Sequence, residues 1–140
     1  MATIASINRI SASQLADMIR TYEGQLGDAP FAIIDVRDTD YIGGHIKGCT
    51  NIPSHSFDLM LPGLIQTLAN KPTVVFHCAL SQQRGPAAAL RFLRELQRLG
   101  KASNHQVMVL EGGFTSWQEL YGADDALTED YDSALWRNGW

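Results

Sequence analysis

The stretch Thr73-Val74-Val75-Phe76-His77-Cys78-Ala79-Leu80-Ser81-Gln82-Gln83-Arg84-Gly85-Pro86 decides how this chain is read. Thr73, Val74, Val75 and Phe76 form an apolar, largely β-branched run, as suits a strand from Thr73 to His77 buried on both faces. Pro86 fits a first helical turn, Leu90, Leu93 and Leu96 mark an inner face, and Gly100 fits a C-terminal cap. A helix is therefore predicted from Pro86 to Leu99. Cys78 stands where the strand ends, and Arg84 where the helix is about to begin. The spacing by itself is cheap. With two cysteines and eight arginines in 140 residues, Cys-x5-Arg arises by chance in roughly one chain in nine. The strand–loop–helix setting is what gives it weight.

Such a turn gathers backbone N–H groups and the positive end of a helix dipole at one point. The amides of Ala79, Leu80, Ser81, Gln82 and Gln83 can converge there on a tetrahedral oxyanion above the sulfur. Arg84 adds a two-pronged clamp that a lysine could not match, and the same field favours thiolate over thiol at Cys78. This arrangement suits nucleophilic attack on phosphorus or arsenic. The bland alternative is an inert cysteine closing a core strand. His77 precedes the nucleophile on the strand, so its ring is expected on the opposite side, supporting the loop by hydrogen bonds. Ser81 is a candidate to hydrogen-bond the sulfur or the loop backbone.

Asp35 and Arg37, two apart at a strand end, read as a structural ion pair, and His45 as a tie from its glycine-rich loop to a neighbouring strand. Cys49 reads as plain packing, and Arg91, Arg94 and Arg98 as a solvated helix face. No His, Asp or Glu cluster has metal-ligand spacing, so a metal-free site is expected.

Outward from the loop, Ile4 to Ile10 is predicted as a first strand. Ser11 and Gln14 form a capping box, followed by Leu15, Met18, Ile19 and Tyr22 at helical spacing. Further strands are predicted at residues 31–36, 50–52 and 107–110. Helices are predicted at 54–70, broken at Pro62-Gly63, and at 116–120. Strands alternating with helices predict an α/β fold, a mostly parallel five-stranded sheet with helices on both faces, in one domain over residues 1–140. The acidic tail from Gly122 is expected to pack back through Tyr131, Leu135, Trp136 and Trp140.

A chain that is 45% hydrophobic and 19% charged reads as a soluble globular protein, and a net charge of −4 argues against nucleic acid or an anionic membrane as partner. No apolar run is long enough to span a bilayer, and no leader pattern opens the chain. Two cysteines are too few for a disulfide framework, which suggests a reducing compartment: cytoplasm, with nuclear access.

Ile33-Ile34-Asp35-Val36-Arg37, followed by Gly43-Gly44-His45-Ile46-Lys47-Gly48, resembles the first signature of the rhodanese fold. Val109-Leu110-Glu111-Gly112-Gly113-Phe114, with Trp117 after it, resembles its final strand and helix. The loop from His77 to Pro86 is similar to that of the cell-cycle dual-specificity phosphatases. It is more similar still to small single-domain fungal, plant and protozoan proteins described as arsenate reductases or phosphatases of that type.

The resemblance implies Cys78 as nucleophile, Arg84 as oxyanion ligand and the Ala79–Gln83 amides as cradle. His77, Gly85, Asp35, Arg37 and His45 would support them, and no resident cofactor is implied. The implied activity is hydrolysis of phosphomonoesters, on a phosphorylated protein or a small phosphotyrosine-type ester, through a phosphocysteine. The alternative is arsenate reduction with glutathione and glutaredoxin as electron donors. A non-catalytic binding module and thiosulfate sulfurtransfer stand behind these, because sulfurtransferases of this fold carry a loop one residue shorter.

The chain departs from the cell-cycle phosphatases in two respects: Ala79 and Gln83 replace their loop glutamates, and Val36 stands where they carry a protective cysteine. It departs from the plant relatives in having no cysteine-rich tail. Asp38, Asp40 or a water could donate the proton, but the sequence places none of them at the site; if none does, aryl phosphates should be better substrates than alkyl ones.

Overall fold

The computed structural model describes residues 6–139. In chain order the elements are β1 (Asn8–Ile10), α1 (Ala12–Thr21), β2 (Phe31–Asp35), β3 (His45–Ile46), β4 (Thr50–Asn51), α2 (Phe57–Thr67), β5 (Thr73–His77), α3 (Arg84–Arg98), β6 (Gln106–Leu110), α4 (Gly113–Tyr121), β7 (Thr128–Glu129) and α5 (Ser133–Arg137). The five-stranded sheet has the order β1-β6-β5-β2-β4, and every neighbouring pair is parallel.

Successive strand residues face opposite sides, so the sheet divides the apolar residues into two cores. On one side Ile34, Val74, Phe76 and Val109 pack against Phe57, Leu61 and Leu64 of α2 and against Phe92 and Leu96 of α3. On the other, Ile33, Val75 and Leu110 meet Leu15 and Ile19 of α1 and Phe114 and Trp117 of α4. Both faces are covered, which is the expected fold class. The predicted capping box is present: Ser11 Oγ accepts from Gln14 N, and Gln14 Oε1 accepts from Ser11 N.

Several boundaries move. Ile4 and Trp140 lie outside the described residues, and β1 is shorter than the predicted strand. Helix α2 runs unbroken through Pro62. Proline leaves only the Asp58 carbonyl without its donor, and Asp58 and Pro62 both face solvent, where that loss is tolerable. Helix α3 begins two residues before Pro86. Its buried stripe runs through Gly85, Ala88, Ala89, Phe92 and Leu96, with Leu90 and Leu93 only half-buried at its edge.

A small antiparallel pair, His45 with Glu129 and Ile46 with Thr128, was not predicted, since two residues carry no periodicity. The tail packs back as expected: Tyr131 Oη donates to Gln118 Oε1 at 2.6 Å and Trp136 Nε1 to the Gly43 carbonyl at 2.9 Å. Among the described residues no helix is long and apolar enough to cross a membrane.

Candidate active site

The chain leaving β2 continues to β4 at one edge of the sheet, while the chain leaving β5 continues through α3 to β6 on the other side. Between β2 and β5 the connections part, and in open parallel sheets ligands bind at the carboxyl ends of strands at such a point. Loops 36–44 and 78–83 emerge there side by side, joined by Val36 N donating to the His77 carbonyl at 2.9 Å.

Cys78 is only 3% exposed, yet it lines a depression of about 310 Å³ with Ala79, Leu80, Gln82, Gln83 and Arg84. Ser81 N donates to Cys78 Sγ at 3.2 Å. Among the described residues nothing accepts a hydrogen bond from the amides of Ala79, Leu80, Gln82 or Gln83, so four donors remain unpaired in the loop that lines the depression. Ser81 takes φ 56° and turns its side chain into the interior. It therefore serves the sulfur through its backbone, not its hydroxyl, and it does not line the depression. Its Oγ finds no partner among the described residues.

Two glycines hold this loop from beneath. Gly85 brings the start of α3 against the end of β5, where a Cβ would lie 3.1 Å from His77 Cα. Gly113, at φ +58°, allows α4 to approach so closely that a Cβ would collide with the Ala79 carbonyl. The first amides of α4 then bind the loop, Phe114 N to the Cys78 carbonyl at 3.0 Å and Thr115 N to the Ala79 carbonyl at 2.9 Å. Gly112-Gly113 was visible in the sequence as a strand-to-helix junction, but nothing local showed that it underlies the loop.

His77 is wholly buried on the face away from Cys78, with Nδ1 3.1 Å from the Cys78 carbonyl oxygen. Its Nε2 stops 3.7 Å from Asp35 Oδ2, too far for a hydrogen bond, and burial lowers its pKa. Asp35 and Arg37 form a buried two-pronged pair, Nε and Nη2 to Oδ2 at 3.0 and 2.9 Å. Arg37 Nη2 also reaches the Gly44 carbonyl at 2.8 Å, and its guanidinium lies 4.4 Å from the Phe114 ring centre. His45 stacks on Tyr41 and sets Nε2 3.4 Å from Glu129 Oε1. Asp35, Arg37 and His45 do not line the depression. Cys49 sits 3.9 Å from the Tyr41 hydroxyl, and burial pushes its thiol up to about 12.

Arg84 departs from expectation. Its fork does not stand open opposite the sulfur. Nη1 and Nη2 donate to the two oxygens of Asp40 at 2.8 and 2.6 Å, and Nη1 also reaches Asp38 Oδ2 at 3.2 Å. Asp38 and Asp40, which the sequence could not place, converge on the candidate oxyanion ligand. Burial works to raise Asp38, but hydrogen bonds from Ser54, His55 and Arg84 outweigh it and hold the carboxyl well below its usual range. Hydrogen bonds from Arg84 lower Asp40 as well, and Asp40 in turn holds Arg84 above its ordinary value. Among the described residues no group of three His, Cys, Asp or Glu could hold a metal ion.

A parallel sheet covered on both faces, with a cysteine-led loop at its switch point, defines a class, and sequence comparison names it. The family profile of the rhodanese-like domain matches residues 11–120. The chain belongs to the rhodanese-like domain family. It is 40% identical over 119 residues to the CDC25-like phosphatase YCH1 of Saccharomyces cerevisiae, covering 77% of this chain and 79% of that one. It is also 40% identical over 114 residues to arsenate reductase 2.2 of Oryza sativa subsp. japonica, covering 80% and 82%. Among solved structures, yeast Ygr203w, described as a protein tyrosine phosphatase of the rhodanese family, superposes with a TM-score of 0.85 at 34% identity, covering 98% of this chain and all of that one.

Proposed function

We propose that the protein is a cysteine-dependent phosphatase acting on phosphomonoesters, with Cys78 as nucleophile and Arg84 as oxyanion ligand. One observation carries this reading: Cys78 lines a depression together with Ala79, Leu80, Gln82 and Gln83, whose amides have no hydrogen-bond partner among the described residues, and with Arg84 on its wall. The sulfur attacks phosphorus in line with the ester oxygen, forming the S–P bond as the P–O bond breaks. The leaving oxygen takes a proton. Water then attacks phosphorus, the S–P bond breaks, and orthophosphate departs as Cys78 returns to thiolate. Donors fixed before the reaction stabilise the charge carried through both steps. The similarity to proteins named phosphatases points the same way.

Arsenate reduction is the second reading, favoured by the similarity to a protein named arsenate reductase and by a site observation. Both carboxylates beside Arg84 are held ionised, and expelling water from an arsenate adduct asks less of a specific acid than expelling an alkoxide. Cys78 would bond to arsenic as a hydroxyl leaves as water. Glutathione sulfur would then attack Cys78 Sγ, forming a mixed disulfide while the As–S electron pair reduces As(V) to As(III). A glutaredoxin thiol would finally reduce that disulfide. Cys49 does not line the depression and offers no resolving thiol. Both readings require a reduced thiol and so a reducing compartment such as the cytoplasm.

Aryl-phosphate hydrolysis and glutathione-coupled arsenate reduction, measured side by side on wild type and Cys78→Ser, test both. Aryl-phosphate turnover that falls about 1,000-fold or more in the variant is expected. Absence of hydrolysis in the wild type, alongside Cys78-dependent arsenate turnover, would assign the second activity.

A further inference from the structure

We propose that Asp40 is the proton donor of the hydrolysis, uncovered when the phosphoryl group takes Arg84 from it. The inference rests on the phosphatase reading and supplies the acid that the loop lacks. Asp38 and Asp40 both touch Arg84, but their other attachments differ. Asp38 also accepts from Ser54 Oγ at 2.5 Å, His55 N at 3.1 Å and His55 Nδ1 at 2.8 Å, so it stays anchored to the Ser54–Ser56 turn if Arg84 leaves it. The side chain of Asp40 holds Arg84 through both oxygens and, among the described residues, is otherwise met only by backbone amides, that of Asp38 at 2.9 Å and its own. Asp40 is the carboxylate that can give up the guanidinium.

Asp40 also lines the hollow next to the depression. In-line displacement puts the leaving oxygen opposite the sulfur, at the mouth of the depression. Asp40 is 26% exposed; it does not line the depression itself but a neighbouring hollow of about 370 Å³, with Ala79, Leu80, Thr115 and Trp136. Ala79 and Leu80 are walls of both spaces, so a ring departing from the sulfur enters the hollow beside Asp40. The charged groups around it are Arg84 on α3, Asp38 on its own loop, and Arg37, whose Nη1 meets the Asp40 carbonyl at 3.3 Å.

Once Arg84 binds phosphoryl oxygens, Asp40 loses its cation and gains an anion as neighbour, and its carboxyl takes a proton from the substrate monoanion or from solvent. It gives that proton to the ester oxygen as the P–O bond breaks. As a carboxylate it then accepts a proton from the water that attacks the phosphocysteine.

The test compares wild type, Asp40→Asn, Asp40→Glu, Asp38→Asn and Cys78→Ser on 2,4-dinitrophenyl phosphate, whose phenolate leaves unaided, and on phenyl phosphate, whose phenolate needs a proton. For Asp40→Asn, kcat/KM on phenyl phosphate should fall about 100-fold or more while dinitrophenyl phosphate stays within about threefold. Asp40→Glu should recover part of the loss. Inhibition by orthophosphate should persist in Asp40→Asn, showing a folded oxyanion site. An equal loss on both esters, or none on either, with Cys78→Ser still inactive, would overturn the role of Asp40 and leave the phosphatase reading standing. Hydrolysis that survives in Cys78→Ser would overturn both.

Discussion

The two thiols of the chain stand in opposite environments, and their difference is readable one residue at a time. Cys49 is packed beneath Tyr41, where burial holds it as a thiol up to about 12. Cys78 Sγ accepts from the Ser81 amide nitrogen at 3.2 Å, and Cys78 lines a depression with Arg84 on its wall. The nucleophile in alkylation is the thiolate, and an anionic reagent is drawn to a guanidinium. Iodoacetate at about pH 7.5 should therefore carboxymethylate Cys78 in the folded protein and spare Cys49, and orthophosphate should slow the reaction. Peptide mass spectrometry reads both sites, and comparable labelling of Cys49 would refute this account of its packing. At this scale the sequence was informative because Cys78 and Arg84 lie in one short loop. It offered Asp40 only as one candidate acid and could not place it at the site, because a contact spanning 44 positions leaves no local trace.

Among the elements, α5 has the clearest consequence for the site. Its Trp136 donates Nε1 to the Gly43 carbonyl and packs on Phe114 at 5.7 Å between ring centres. Asp132 N donates to the same Gly43 carbonyl at 3.2 Å, so the tail clasps the far end of the loop that carries Asp38 and Asp40. Trp136→Ala removes a half-buried ring and leaves that carbonyl without one donor. A loss of about 2 kcal/mol in urea unfolding is expected. Turnover of phenyl phosphate should fall with it, since the loop that positions Asp40 loosens, whereas Cys78 carboxymethylation should persist because α3 and α4 hold its loop. Unchanged stability would show that the tail rests on the surface without holding it. The sequence suggested that the tail packs but not where, because Trp136 and Gly43 are brought together by contacts distant in sequence, among them the β3–β7 pair. Those strands are two residues each, too short to advertise themselves.

Across the whole molecule, the sheet separates chemistry from support. The strand patterns at residues 31–35 and 73–77 gave away a doubly covered parallel sheet, since continuous apolar runs have no solvent face. The Asp35–Arg37 pair and the supporting place of His77 were legible too, but not their full burial, nor the register that sets Asp35 beside His77. That burial predicts how stability responds to acid. His77 has its folded-state pKa lowered from 6.5 by burial, so below about pH 6.5 the unfolded chain binds a proton that the folded chain refuses, and stability falls. Asp38 and Asp40 are lowered from 3.8. Their contribution is present above about pH 3.8 and is lost as pH drops toward their folded values. Urea midpoints followed from about pH 8 to pH 3 should therefore decline in two stages, an upper one belonging to His77 and a lower one to the carboxylates on Arg84. His77→Asn, which keeps an amide donor near the Cys78 carbonyl, should flatten only the upper stage, and Asp38→Asn only the lower. An unchanged slope between about pH 6.5 and 5 in His77→Asn would show that the uptake of protons on unfolding arises elsewhere, and that the layer beneath the sheet's carboxyl ends is not the acid-sensitive part of the fold.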